Sequence, residues 1–164
     1  MINIPQIREA IDDTLLAMGD RFYSKHASDL VFETGLVESR YEYIKQLGSG
    51  PARSFWQIEP DTAVDNIKNY LAYREIDTEK MAEASYLSVQ TWQSENPRMW
   101  ENLLHYTLNC GIIHCRLKYW RVPEKLPTTL EERAKYWKQW YNSGKGKGTE
   151  SHYIEIVEAH YKCH

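Results

Sequence analysis

Apolar residues recur at three- and four-residue steps through almost the whole of this chain, a spacing that suits helices packed on helices. Ile4, Ile7, Ile11, Leu15, Met18 and Phe22 make the cleanest stripe, with Pro5 at the helix start and Asp12, Asp13 and Asp20 on the other side. The same step carries Leu30, Val31, Leu36, Val37, Tyr41 and Ile44, capped by Ser28-Asp29 and ended by Gly48-Ser49-Gly50-Pro51. Asp61 or Thr62 caps a helix holding Val64, Ile67 and Leu71, and Thr78 opens one with Met81, Ser85 and Trp92 that ends near Asn96-Pro97. Pro97 to Trp120 reads as the longest helix. Gly111 inside it costs about 1 kcal/mol against Ala and signals a close neighbour, for which the turn at Gly35 is the expected partner. Thr129-Leu130-Glu131-Glu132 is a capping box for a helix to Tyr141. Thr149 caps a last helix to about Tyr161, after a turn with Gly144, Gly146 and Gly148. No repeat or linker divides residues 1–164. The expectation is one mainly α domain with at most a small β-hairpin near residues 47–58.

Composition narrows the function classes. With 164 residues, 42% of them hydrophobic, the chain is long enough to bury a sizeable core. A net charge of −3 lacks the basic face that nucleic-acid binding needs. Nothing is long and apolar enough to insert in a membrane, and MINIPQIREAIDDTLL has acids where a signal peptide needs a basic start and an apolar run. Cys110, Cys115 and Cys163 are an odd set without framework spacing, read as reduced thiols. Together with His105, His114, His160 and His164 they show no C-x-x-C or H-E-x-x-H pair, so no metal and no cofactor is expected. The 12 Tyr and 6 Trp are an unusual supply of flat faces, mostly for the core, with some left to stack on sugars.

Chemistry concentrates between Phe32 and Pro60. Glu38 near a helix end faces a glycine-rich corner that returns the amide of Gln57. An acid held half-buried there has its pKa raised, while the loop offers neutral hydrogen-bonding groups to a sugar. Glu33 and Glu42 compete for the role, but Glu33 is five residues away and faces elsewhere, and Glu42 lies one turn along.

Three ordered segments carry a resemblance. Glu38-Ser39 followed by Gly50-Pro51-Ala52-Arg53-Ser54-Phe55-Trp56-Gln57-Ile58-Glu59-Pro60 resembles the ES…GAxGLMQxxP signature of lysozyme-like soluble lytic transglycosylases. Leu108-Asn109-Cys110-Gly111 resembles that family's Asn-containing helix, and Tyr141-Asn142-Ser143-Gly144 its YNAG corner; together they are similar to small bacteriophage versions. Two family glycines are replaced, by Pro51 and by Ser54. The resemblance implies a lysozyme-like, goose-type fold and a catalytic Glu38. It implies substrate contacts from Ser39 and Gln57, and Tyr141 and Asn142 closing the cleft. Trp56 is either a sugar platform or core, and core is favoured because it lies in an apolar run.

A retaining lysozyme needs a second carboxylate about 5 Å from its acid, an inverting one a base further off. The resemblance implies that the position for it falls around Ala52, which cannot serve and leaves Glu59 and Asp61 as substitutes. With one acid, Glu38 serves first as acid and then as base, and the substrate's own 6-hydroxyl attacks. The expected function is a lytic transglycosylase cutting β-1,4 bonds between N-acetylmuramic acid and N-acetylglucosamine. The alternatives are a hydrolytic lysozyme and a virion protein that binds glycan without turnover. Expected partners are peptidoglycan strands and other virion proteins. Without a signal peptide, the route from the host cytoplasm to the wall is a phage particle or a phage-made membrane lesion.

Overall fold

The computed structural model describes residues 3–142 and 146–163. Eight α-helices account for most of them: α1 (Ile4–Met18), α2 (Lys25–Ser39), α3 (Pro60–Asn69), α4 (Glu75–Ser85), α5 (Pro97–Tyr106), α6 (Leu108–Trp120), α7 (Leu130–Trp140) and α8 (Glu150–Lys162). The fold is mainly helical, as the spacing predicts. Among the described residues no strand forms, and the expected hairpin is reduced to two isolated antiparallel bridges, Lys45 with Arg53 and Arg53 with Ile58. No described helix is long and apolar enough to cross a membrane.

Two helices form the centre. In α6 every residue from Cys110 to Leu117 is buried, and α2 is buried over Ala27–Leu36; helices buried on every side lie inside the others. Around them α1 packs on α2, α4 and α6, α3 and α5 pack together on α6, and α7 and α8 pack against each other with α8 also on α2.

Several helix ends differ from the sequence reading. α2 is capped by Ser24, whose hydroxyl accepts from the Ala27 amide, while Ser28 and Asp29 lie inside the helix and bind Arg8. α3 begins at Pro60, with Glu59 at the cap position and neither Asp61 nor Thr62 capping. α4 begins at Glu75; Thr78 lies in its first turn and bonds back to the Arg74 carbonyl. The long helix over 97–120 is two, parted at Thr107, which is extended at φ −124°. A straight helix of that length would span roughly 36 Å. The break lets α5 lie on α3 while α6 runs through the core, and no Gly or Pro announces it. The capping box at Thr129 and Glu132 and the Thr149 cap form as expected.

The end of α2 decides where the site lies. The helix stops at Ser39 instead of running through Ile44, because Arg40 and Tyr41 take left-handed φ values of 53° and 56°. That reversal folds Tyr41 back beneath Gly35, where even a methyl group would collide with its ring, and the Tyr41 hydroxyl donates to the Phe32 carbonyl. Gly111 has a different neighbour from the one expected. A Cβ there would stand 2.8 Å from Trp56 Cε3 and 2.9 Å from Ser54 Cβ, so its bareness seats the 54–57 turn on α6.

Candidate active site

Glu38 projects from the last turn of α2 into a cleft of about 690 Å³. The far wall comes from Gln57, Ile58 and Glu59, the floor from Lys118 of α6, and the other side from Tyr141 and Asn142 after α7. Burial pushes the Glu38 carboxyl up to about 6, against smaller lowering effects from Trp137 and Lys118. The helix C-terminus acts in the same direction as burial, since its carbonyls disfavour a nearby negative charge. Trp137 Nε1 donates to Glu38 Oε1 at 2.9 Å and fixes the plane of the carboxyl. Beneath it the Tyr43 hydroxyl donates to the Glu38 carbonyl at 2.8 Å.

Among the described residues lining the cleft, Lys118 is the cation. Its ammonium donates to the Tyr141 carbonyl at 3.0 Å and stands 4.1 Å from the centre of the Tyr141 ring. Burial lowers its pKa, offset in part by Glu38 and Glu59. Nearby, the 54–57 turn holds two non-glycine residues in left-handed conformations, Ser54 at φ 64° and Gln57 at φ 47°. Such residues cost free energy and persist where packing fixes them. Here the fixing contacts are Gly111 behind the turn, Trp56 Nε1 donating to the Val31 carbonyl at 2.8 Å, and the Tyr141 hydroxyl donating to the Trp56 carbonyl at 2.6 Å.

Five of the residues singled out in the sequence therefore share one cleft: Glu38, Gln57, Glu59, Tyr141 and Asn142. Three do not. Trp56 is 0% exposed, so it is core and offers no face to a sugar. Ser39 is 1% exposed and finishes α2, bonding the Gly35 carbonyl and accepting from the Tyr41 amide. Asp61 lines a neighbouring cavity instead of this one. Ala52, the position to which the resemblance assigns a second acid, lines the cleft. Ser143 and Gly144 of the expected corner lie outside the described residues. Of the competitors, Glu42 is exposed, while Glu33 is fully buried between Arg133 and the Tyr153 hydroxyl.

Sequence reasoning missed Tyr43, Lys118, Trp137 and Lys138, which ties Asn142 Oδ1 to the Gly146 carbonyl. For Lys118 there was a signal, a lysine directly after the apolar run that makes α6 a central helix; Trp137 had none without knowing that α7 reaches the end of α2. Among the described residues no three His, Cys, Asp or Glu side chains gather to hold a metal ion. His114 lies between Trp92 and Trp100 with its Nδ1 3.2 Å from Asn66 Nδ2. Asn109 ties α6 to the Ala84 carbonyl and Thr14 and stays out of the cleft. Compared with protein-family models, curated proteins and solved structures, the chain matches none of them.

Proposed function

We propose that this chain is a peptidoglycan-cleaving glycosidase of lysozyme-like fold, acting as a lytic transglycosylase with Glu38 as its only acid–base group. The observation that carries this is a carboxyl pushed up to about 6 in an open, polar cleft, and the resemblance supports it by assigning the second-acid position to Ala52, which lines that cleft. A carboxyl with that pKa holds a fair share of its proton near neutrality and still gives it up readily. The Ser54 backbone adds support, because the family pattern has glycine there and Ser54 takes the left-handed conformation that glycine adopts freely. The likeness to bacteriophage versions makes a phage-encoded wall-degrading enzyme the specific form of the proposal.

In the reaction, Glu38 gives its proton to the glycosidic oxygen as the bond to muramoyl C1 breaks. Lys118 then steadies the carboxylate left behind. The oxocarbenium-like C1 takes the sugar's own 6-hydroxyl oxygen, and Glu38 recovers a proton from that hydroxyl. No water enters, and the product is a 1,6-anhydromuramoyl end. Intramolecular capture is efficient because a well-placed hydroxyl has a very high effective concentration. Gln57 and Asn142 offer amides to the acetamido and hydroxyl groups.

Purified sacculi digested with the protein, and the products weighed, test both steps. Cleavage with products one water lighter than hydrolysis is the expected result; intact sacculi overturn the proposal. One observation favours a hydrolytic variant, the presence of exposed Glu59 in the same cleft. If Glu59 recruits water, the products carry the hydrated mass and Glu59→Gln abolishes them; under transglycosylation Glu59→Gln leaves the anhydro mass unchanged.

A further inference from the structure

A second cavity of about 450 Å³ adjoins the Glu38 cleft and shares Thr62 and Lys118 with it. Its remaining lining has charges of both signs, Asp61, Asp65 and Arg121, beside Trp140. This is an unusual wall for an uncharged sugar, whose hydroxyls and acetamides call for neutral partners. Arg121 is held ready for a ligand. Its Nη1 binds both Asp65 and, at 3.0 Å, Asn66 Oδ1, which fixes the guanidinium plane. The Nε–Nη2 edge, the edge that grips a carboxylate with two parallel bonds, makes no hydrogen bond among the described residues. Lys118 spends one of its three donors on the Tyr141 carbonyl. Asp61 is exposed at the α3 end of the cavity, where it suits an amine.

From this juxtaposition we infer that the second cavity takes the peptide stem of the glycan, so that the substrate is the peptide-substituted strand and not the bare one. The inference rests on the glycosidase reading and goes beyond it. A stem peptide leaves the muramoyl lactyl group next to the scissile bond and carries free carboxylates and an amine along a short chain. The Arg121 fork and Lys118 receive the carboxylates, Asp61 receives the amine, and Trp140 covers the backbone between them. The charge pattern of the cavity is the complement of that peptide.

The test compares glycan strands carrying their stems with the same strands stripped by an N-acetylmuramoyl-L-alanine amidase. Wild-type kcat/KM is expected to be about tenfold or more higher on the peptide-bearing strands. Arg121→Gln removes most of that preference and leaves the rate on stripped strands unchanged; a melting curve checks its fold. Trp140→Ala, on a different element, is expected to act in the same direction and carries the test if Arg121→Gln fails to fold. Equal wild-type rates on the two substrates overturn the stem pocket and leave the glycosidase reading standing. So does a folded variant that loses rate on both alike. A wild type that cuts neither substrate overturns the glycosidase reading, and the stem pocket falls with it.

Discussion

Replacing Glu38 by Gln is expected to abolish cleavage and to stabilise the protein, but only on the alkaline side of its titration. In the fold the carboxyl keeps its proton up to about pH 6, against 4.5 for an ordinary glutamate. A raised acid of this kind contributes its full stability below pH 4.5, and the contribution is lost as pH rises through 6. The shift from 4.5 to about 6, at ~1.4 kcal/mol per unit, makes the ionised form cost about 2 kcal/mol. Gln is never ionised, and its amide oxygen still accepts from Trp137 Nε1. At pH 8 the variant is therefore expected to gain up to about 2 kcal/mol, a rise in Tm of about 4–8 °C for a chain of this size. At pH 4 both proteins are neutral at this site and should unfold alike. Urea titrations at the two pH values, with equal m-values, provide the measurement. A stability difference that is the same at pH 4 and pH 8, or a variant weaker at pH 8, would refute the desolvated carboxyl on which the mechanism depends. Activity is read on the same samples by clearing of sacculi, where a loss on the order of 10²- to 10⁴-fold is expected for a missing general acid.

The same carboxyl predicts that wild-type kcat/KM falls about tenfold per unit once pH exceeds 6, because the acid must enter the cycle protonated; a profile still climbing at pH 9 contradicts it. His114 runs the other way, since burial lowers its pKa from 6.5 to about 3. The stability this neutral histidine contributes is full above pH 6.5 and drains away as pH falls toward 3, by up to ~5 kcal/mol; His114→Gln should flatten the acid limb of a denaturation series. Gly111→Ala should destabilise by about 1–3 kcal/mol, because the new methyl presses on Trp56 and Ser54 and this outweighs the better helix propensity. Chemical denaturation measures that loss. On strands stripped of their peptides, Lys118→Met should slow cleavage more than it weakens substrate binding, which a split of kcat from KM reveals.

Much of this was legible in the sequence because the information is local. The stripe of α1, the capping box of α7 and the cap of α8 are each set by side chains a few residues apart. That Glu38 and Gln57 share one cleft was legible through their placement around a glycine-rich corner. What was hidden depends on distant packing. The left-handed turn after Ser39 exists because Tyr41 fits under Gly35, and the break at Thr107 because α5 and α6 serve different neighbours. Ser39 was expected to contact substrate because it follows Glu38 in the chain, yet its side chain turns inward, whereas Trp56 lies in the core as its apolar run suggests.

The bond from Trp137 reaches Glu38 from 99 positions later in the chain. While the protein is being made, α2 leaves the ribosome about 5–20 s before α7 at ordinary elongation rates. Over that interval Glu38 lacks the burial that raises its pKa, and it is a plain carboxylate, ionised at neutral pH. It becomes the weaker, proton-holding acid only when burial by the docked late helices outweighs the lowering effects of the Trp137 indole and Lys118. Local opening of α7 in the finished protein would let water back to the Glu38 carboxyl and return it toward an ordinary glutamate while the centre around α6 stayed folded.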